Sequence, residues 1–424
     1  MQAVIFAHFD PSELNQLTVT KTCCRLPFGS STILSNLFDL FLECDISDFI
    51  ITHSKSTGAV LEQYVSQLNK DRPHIHVTFA PVPSECSVAE CLSRIRNLIT
   101  LDYVFLVSST TVLTDLDLRR LFLALIRSNA SMVAVFSSLP TMESKFFKGL
   151  PRELILTTRC GTELLGYFAA ADIKKNTTIP RALTQQGIGL LARNDLRDVG
   201  LYLLTRSTLE AVTRLREDVS HKKKTTGQFL DPALLKMTLN ITDQTELLTK
   251  DNKGHSNEPN DLYINKNKLS GIYLYEHNDA CISIKLSDPL TFVEATRLYL
   301  QKSSLASTEA TVKVEKKSGR TKDYSHILSN CVIDPTAVIS GCLICSGCTV
   351  AANTRVFNSV LLPGVNIKES CFIQGCALGE QVTVEAQCQL KNCSVAACQR
   401  VPDGTNLESE QLGFTDPDLE VTQE

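Results

Sequence analysis

The sequence predicts an α/β protein in two parts: a Rossmann-like domain with a mixed sheet, followed by a hexapeptide-repeat, left-handed parallel β-helix. Two observations predict this architecture. In the first part, apolar runs with the spacing of strands alternate with runs of helical spacing. From Val332 to Val401, aliphatic residues instead recur about every six residues, a period that neither a helix nor a single strand explains.

The repeat defines the C-terminal part of the chain. Its expected interior positions are Val332, Val338, Ile344, Val350, Val356, Leu362, Ile367, Ile373, Leu378, Val384, Leu390, Val395 and Val401. In a parallel β-helix each hexad forms one short face, three faces close a coil, and the stacked coils bury the aliphatic side chains. The turn-forming residues Ser340-Gly341, Asn353 and Pro363-Gly364 stand where corners are expected.

Cysteines occupy a second set of expected interior positions. A residue two places before the aliphatic one points to the same side of a strand, and a tight corner requires a small side chain there. Six cysteines have this spacing: Cys342, Cys348, Cys371, Cys376, Cys388 and Cys393. Because free cysteine behaves as a small buried hydrophobe, we expect these six to pack in the core.

The N-terminal part is predicted to alternate strands and helices. The predicted strands cover residues 2–7, 48–52, 75–79, 103–107, 132–136, 153–157, 165–169, 200–205, 272–275 and 281–284. The predicted helices cover residues 30–43, 60–68, 87–99, 116–126, 207–216, 229–239 and 288–300. The regular alternation up to about residue 150 is typical of a parallel sheet covered by helices, which binds ligands at the carboxyl ends of its strands.

Composition suggests where the parts begin and end. We expect a first domain at 1–301, a flexible linker at 302–325, the β-helix at 326–410 and an acidic tail at 411–424. The linker is rich in Ser, Thr and Lys and carries a basic cluster at 316–320. A solvated linker is favoured there over contact with RNA or an acidic partner. Two further polar stretches, 249–261 and Lys222-Lys223-Lys224, are interpreted as solvated loops, with phosphate or partner contact the alternative for the lysines.

Length and composition restrict the class of protein. A chain of 424 residues with 43% hydrophobic residues is long enough for two or three domains with substantial cores. The net charge of −4 gives no electrostatic reason to expect nucleic acid or an anionic membrane as a partner. No signal peptide or membrane-spanning run is recognisable, so we expect the 16 cysteines to be reduced and the protein to be cytosolic.

The order of an α/β domain and a hexapeptide β-helix resembles the nucleotide-sugar pyrophosphorylase superfamily over nearly the whole chain. The resemblance implies a nucleotidyltransferase-like fold whose first strand leads into a Gly-rich phosphate loop, then Leu-Thr, then a phosphate-binding Lys, with a metal-binding Asp after a later strand. Here the loop is His8-Phe9-Asp10-Pro11, without glycine, although Leu17-Thr18 and Leu26-Pro27-Phe28-Gly29 are kept. The lysine position falls on Cys23 and the metal position on Thr111, while Asp115 matches the downstream Asp.

This loss of catalytic parts resembles one branch of the superfamily, the gamma subunits of eukaryotic translation initiation factor 2B. The stretches that carry the resemblance are Arg197–Leu204, Gln228–Lys236, Cys281–Ile284, Thr291–Arg297 and Leu390–Val401. Ser283 departs from that branch by replacing an Arg. The resemblance implies a non-catalytic subunit that pairs directly with the epsilon subunit and joins the beta, delta and alpha subunits in exchanging guanine nucleotide on initiation factor 2. It implies no catalytic, cofactor-binding or metal-binding residues and no cofactor.

Several residues admit a sharper interpretation. Cys342, Cys345 and Cys348 could ligate zinc, but the repeat places Cys345 on the outside and the other two inside, and no histidine lies between 327 and 424. That missing histidine also argues against a hexapeptide-repeat acyltransferase. His8 could contact a nucleotide, although a filling or surface role is favoured because no partner acid is evident. Cys23 could be reactive, but an inert replacement is favoured.

Two function classes therefore remain open. The favoured one is a non-catalytic subunit of the initiation factor 2B exchange complex. The other is an active sugar-nucleotide pyrophosphorylase, or an inactive regulatory one such as a GDP-mannose pyrophosphorylase subunit. The residues at 8–11, Cys23 and Thr111 disfavour the active enzyme.

Overall fold

A computed structural model describes residues 1–8, 12–70, 72, 74–83, 86–138, 152–168, 173, 189–210, 270–277, 282–306 and 325–413. The helix predicted at 229–239, the lysine run at 222–224, the polar stretch at 249–261 and the basic cluster at 316–320 lie outside the described residues. The chain forms two compact units: the first comprises 1–9, 39–58 and 62–285, and the second comprises 10–38, 59–61 and 286–424.

A ten-stranded mixed sheet forms the centre of the first unit. Its strands are β1 (Gln2–Phe6), β4 (Asp48–His53), β5 (His76–Pro81), β6 (Tyr103–Ser108), β8 (Ala130–Ser138), β9 (Leu154–Thr158), β10 (Glu163–Phe168), β11 (Leu190–Arg193), β12 (Leu196–Thr205) and β13 (Ser270–His277). Their order is β11-β9-β10-β13-β8-β12-β6-β1-β4-β5. Strand β1 lies parallel to both β4 and β6, and β4 lies parallel to β5. The parallel sheet expected from the first half of the chain is therefore confirmed for these four strands.

The later strands make the sheet mixed. Strand β12 is inserted between β6 and β8 and is antiparallel to both. A small antiparallel pair joins β7 (Thr111–Leu113) to β14 (Ser283–Lys285). The remaining short strands, β2 (Pro27–Phe28) and β3 (Ser31–Thr32), pair with each other in the second unit.

The helices begin and end at residues that suit those positions. The helices that lie wholly within the described residues are α1 (Ser12–Asn15), α2 (Ile33–Leu42), α3 (Gly58–Leu68), α4 (Val88–Ile95), α5 (Leu118–Ser128) and α6 (Pro289–Ala306). Residues 206–210 are also helical, and the rest of the helix predicted at 207–216 lies outside the described residues. Ser87 caps α4 by accepting a hydrogen bond from the Glu90 amide, and Asp117 caps α5 in the same way for Arg119. The predicted N-cap Asp288 accepts from the Thr291 amide at 2.8 Å. Helix α6 continues to Ala306, into the segment that composition suggested as the start of the linker.

The second unit contains the left-handed β-helix. Its strands are β15 (His326–Ile327), β16 (Val332–Ile333), β17 (Val338–Ser340), β18 (Leu343–Ile344), β19 (Thr349–Val350), β20 (Arg355–Phe357), β21 (Val360–Leu361), β22 (Asn366–Ile367), β23 (Phe372–Gln374), β24 (Ala377–Leu378), β25 (Thr383–Val384), β26 (Gln389–Lys391), β27 (Ser394–Val395), β28 (Arg400–Val401), β29 (Asn406–Glu408) and β30 (Gln411–Leu412). They form three parallel sheets of six, five and five strands. Each residue pairs with one 17 positions on, as Val332 does with Thr349 and Val338 with Arg355.

The 17-residue coil corrects the predicted register at its beginning. Ile339 belongs to the buried interior and Ile333 packs against it, whereas Val332 and Val338 are 66% and 48% exposed. Leu361, not Leu362, is the interior residue of its face. Successive interior residues are separated by six, six and five positions in each coil, because one corner of each coil is a residue shorter. The other ten predicted aliphatic positions are confirmed as interior residues.

The expected corner residues and interior cysteines are also confirmed. All six predicted cysteines are buried in the interior cluster of the β-helix. Gly341, Asn353 and Gly364 have φ values of 69°, 57° and 78°, in the left-handed region that tight corners require. Cys345 lies outside the interior cluster, as expected, but it is buried rather than exposed.

An N-terminal segment packs against the β-helix within the second unit. The amide of Glu380 donates to the carbonyl of Leu17 at 2.8 Å, and the amide of Ala397 donates to the carbonyl of Gln16 at 2.8 Å. The Glu380 carboxylate in turn accepts from the amide of Val19 at 2.8 Å. Leu17, which belongs to the retained Leu-Thr pair, therefore supplies a carbonyl that holds the segment on a coil.

No helix among the described residues is long and apolar enough to cross a membrane.

Candidate functional site

The carboxyl ends of β1, β4 and β6 form the edge where a sheet of this kind binds ligands. His8 follows β1 by two residues, Thr52 lies near the end of β4, and residues 108–111 follow from the end of β6. All of these side chains are buried. The edge is therefore filled by the protein's own polar groups.

Thr111 occupies the position that holds a metal-binding Asp in the superfamily that the sequence resembles. Its hydroxyl donates to the carbonyl of Val199 at 2.8 Å, and its side chain is completely buried. A Cβ atom at neighbouring Gly200, whose φ is +75°, would come within 2.9 Å of the Thr111 hydroxyl. The site is closely packed around a hydroxyl that is already used in a structural hydrogen bond.

Cys23 occupies the position of the phosphate-binding lysine. It is completely buried in the second unit, and its thiol donates to the Asn15 side-chain oxygen at 3.1 Å. A buried neutral thiol cannot supply the positive charge of an ammonium group. The inert role favoured from the sequence stays a prediction.

A buried charged cluster surrounds Asp198 near the same strands. The Asp198 carboxylate accepts from the Tyr202 hydroxyl at 2.5 Å and the Gly200 amide at 3.0 Å, and its own amide donates to Glu153 at 3.0 Å. Burial raises the pKa of both carboxyl groups, and the negative charge of Asp198 raises the pKa of Glu153 further. Burial lowers the pKa of Lys285, which the negative charges of Asp198 and Glu153 oppose. The burial of Asp198 and the partial burial of Glu153 and Lys285 therefore oppose ionisation of all three groups.

His8, Cys86 and Cys91 form a second cluster, at the ends of β1 and β5. Cys86 lies in the loop after β5, and Cys91 lies in the first turn of α4, which crosses from β5 to β6. The ligand atoms of the three residues all lie within 4.8 Å of one another, and the Cys86 Sγ lies 3.5 Å from the His8 Nε2. Hydrogen bonding from Cys91 and His8 lowers the pKa of Cys86 to about 5, although burial opposes this shift. The same hydrogen bond and burial raise the pKa of Cys91.

The sequence did not reveal this cluster because His8 lies 78 positions before Cys86. The favoured interpretation of His8 considered a partner acid, whereas its neighbours are two thiols. The usable signal was topological: His8 and Cys86 each follow a strand, and a parallel sheet brings the carboxyl ends of all its strands to one edge. Cys86 and Cys91 are also separated by only one helical turn and a cap.

Cys342, Cys345 and Cys348 do not form such a group. Among the residues that the structure describes, only His8, Cys86 and Cys91 bring together three His, Cys, Asp or Glu ligand atoms at this spacing. The Cys342 and Cys348 thiols instead donate to the carbonyls of Val356 at 3.4 Å and Leu362 at 3.2 Å. Their positions are explained by packing within the coils.

The C-terminal part of the chain is similar to a known domain family. Residues 311–407 match the family model of the GMPPB C-terminal domain. The matched residues contain most of the β-helix, and the match supports a likeness of this part of the chain to the sugar nucleotidyltransferase family. No curated protein matches the sequence.

Proposed function

We propose that this chain is a non-catalytic subunit of the translation initiation factor 2B exchange complex, where it pairs with the epsilon subunit. The observation that carries the non-catalytic part is the hydrogen bond from Thr111 to the Val199 carbonyl. Thr111 stands at the position where phosphoryl transfer would need a carboxylate to hold a metal ion. Buried Cys23, in place of a lysine, supports the same conclusion.

The choice of complex rests on the stretches that resemble gamma subunits, particularly Arg197–Leu204 and Leu390–Val401. In the fold these stretches are strand β12 with its buried Asp198 and the coil that contains β26, β27 and β28. Both stretches lie within the described residues. The proposal includes the beta, delta and alpha subunits as further members of the complex and a cytosolic location.

Such a subunit would act through binding energy rather than bond chemistry. Exchange requires a complex that binds initiation factor 2 more tightly when its nucleotide site is empty, which is a coupling free energy between two sites. The flat faces of the β-helix suit side-to-side packing against another subunit. We expect both the sheet domain and the β-helix to contact the epsilon subunit.

A second candidate is an inactive regulatory subunit of GDP-mannose pyrophosphorylase. The match of residues 311–407 to the GMPPB C-terminal domain favours it. The filled position at Thr111 is equally compatible with an inactive subunit of that enzyme, because both candidates have dispensed with the metal site.

Co-purification distinguishes the two candidates. The full-length tagged chain would be captured from lysate at moderate salt, and the co-purifying proteins identified and quantified by mass spectrometry. Stoichiometric epsilon, beta, delta and alpha subunits are the expected result. Stoichiometric GDP-mannose pyrophosphorylase would overturn the choice of complex in favour of the second candidate.

An activity assay tests the non-catalytic part separately. The purified chain would be supplied with GTP, mannose 1-phosphate and Mg²⁺, and release of pyrophosphate measured. No release above a protein-free control is expected. Release of pyrophosphate above that control would show that the chain is catalytic and would overturn the proposal.

A further inference from the structure

The cluster of His8, Cys86 and Cys91 has the composition of a metal site. We propose that these three residues bind a zinc ion at the carboxyl edge of the sheet. The proposal revises the expectation from the sequence, which assigned no metal ligands. It concerns the first unit alone and is independent of which complex the chain joins.

The spacing of the ligand atoms fits zinc. A tetrahedral zinc ion with Zn–S bonds of about 2.3 Å and Zn–N bonds of about 2.0 Å holds its ligand atoms about 3.5–3.8 Å apart. The Cys86 Sγ and His8 Nε2 are already 3.5 Å apart, and no pair in the group exceeds 4.8 Å. The remaining distances exceed the ideal separation by at most about 1 Å.

Thr52 holds the histidine in the orientation that a metal requires. Its hydroxyl lies 2.7 Å from the His8 Nδ1 and donates a long hydrogen bond of 3.4 Å to the Ile5 carbonyl. When that proton is directed at Ile5, the hydroxyl is free to accept from the Nδ1–H, which leaves the Nε2 lone pair directed at Cys86. The Thr52 hydroxyl also hydrogen-bonds to the Cys91 thiol. Metal-binding histidines are usually fixed by such a hydrogen bond on the other ring nitrogen.

The chemistry of the ligands selects the metal. Two thiolates and an imidazole are soft or intermediate ligands that favour zinc over magnesium or calcium, which prefer oxygen. The three side chains are 9%, 3% and 0% exposed, so the site is shielded from bulk water. Three protein ligands leave one tetrahedral position for a water molecule.

Bound zinc would tie together three segments that the chain brings from different places. These are the residue after β1, the loop after β5 and the first turn of α4. Each of the three ligand side chains lies on or beside a strand or helix. The ion would therefore fix the loop at Cys86 to the sheet edge. Because the ion would join these three segments only in the folded chain, we expect bound zinc to raise the unfolding temperature, which is measurable with and without the metal.

Metal content and a cobalt probe test the proposal on the full-length chain. We expect about one zinc per chain by mass spectrometry after purification without chelator. After exchange with Co²⁺, visible bands of tetrahedral cobalt and a near-ultraviolet thiolate charge-transfer band are expected. Cys86→Ser and Cys91→Ser should lose the bound zinc and the cobalt bands. Thr52→Val should weaken zinc binding about 10–100-fold.

Cys44→Ser is the matched control, because Cys44 belongs to the same unit but not to the cluster. It should keep the zinc and the cobalt spectrum. Circular dichroism of every variant would show whether it is folded, and Thr52→Val keeps the assay informative if the cysteine variants unfold. A folded wild-type chain that takes up neither Zn²⁺ nor Co²⁺, or one with a disulfide between Cys86 and Cys91, would overturn the proposal.

Discussion

The amide of Glu380, on the β-helix, donates a 2.8 Å hydrogen bond to the carbonyl of Leu17, near the other end of the chain. The Glu380 carboxylate completes the pair by accepting from the amide of Val19. Residues 16–19 are thereby paired with the outside of a coil through their backbone. In the superfamily that the sequence resembles, the Leu-Thr pair follows the phosphate loop, and in this chain the segment that contains Leu17-Thr18 is attached to the β-helix.

Glu380→Ala should loosen this attachment. The Val19 amide would lose its acceptor, which we expect to lower the free energy of unfolding by about 1 kcal/mol. Hydrogen exchange at residues 16–20 should become faster, because the amide of Val19 would be released to solvent. Glu380→Gln keeps an acceptor oxygen and should exchange like wild type. Equal exchange in the alanine and glutamine variants would show that the carboxylate does not hold the segment.

The register of the first β-helix coil gives a second prediction. Ile339→Ala should lower the free energy of unfolding by about 2–5 kcal/mol, because it removes buried methyl and methylene groups from the stack. Val338→Ala, one residue away but 48% exposed, should change it by less than about 0.5 kcal/mol. Chemical denaturation monitored by circular dichroism measures both. The opposite ranking would support the register expected from the sequence.

Adjacent aliphatic residues explain why the sequence predicted one part of the β-helix correctly and another part wrongly. At Val332-Ile333, Val338-Ile339 and Leu361-Leu362 two neighbouring residues are both suitable for the core, so a period of about six cannot choose between them. From Ile367 onward the outer neighbours are mostly polar or small, and only one residue of each face fits the interior. Strand pairing at an interval of 17 residues decides the ambiguous cases.

The candidate metal site could not be predicted from the sequence for a different reason. The residue types and their proximity to strand ends were visible in the sequence, but the order of the strands was not. Only the arrangement β6-β1-β4-β5 brings His8 beside Thr52 and the loop at Cys86. Thr111, by contrast, was identified from its place in a motif, which needs no knowledge of the topology.

Substitutions of Thr111 test whether its hydroxyl is structural. Thr111→Val removes the donor to the Val199 carbonyl and should lower the free energy of unfolding by about 1–3 kcal/mol. Thr111→Ser retains the donor and should cost less than Thr111→Val. Thr111→Asp should be the most destabilising, because it buries a carboxylate against the same carbonyl. Urea denaturation ranks the three, and an aspartate variant as stable as wild type would contradict the closely packed site.

The raised pKa of Glu153 predicts that the stability of the fold depends on pH. Burial and the charge of Asp198 raise its pKa in the folded protein above the ordinary value of 4.5. The folded state therefore holds this proton to higher pH than the unfolded state. Its contribution is fully present below pH 4.5 and is lost as the pH rises through the folded pKa. Glu153→Gln keeps an acceptor for the Asp198 amide without the charge.

The glutamine variant should accordingly melt at a higher temperature than wild type at pH 7, and the difference should shrink as the pH falls toward 4.5. Thermal unfolding between these two pH values, followed by circular dichroism, measures the trend. Glu62→Gln, which removes an exposed carboxylate from the same unit, is the control and should follow wild type throughout. A glutamine variant that melts below wild type at pH 7, and approaches it as the pH falls, would mean that the ionised Glu153 stabilises the fold, since a carboxylate that is favoured by its surroundings loses its contribution on protonation.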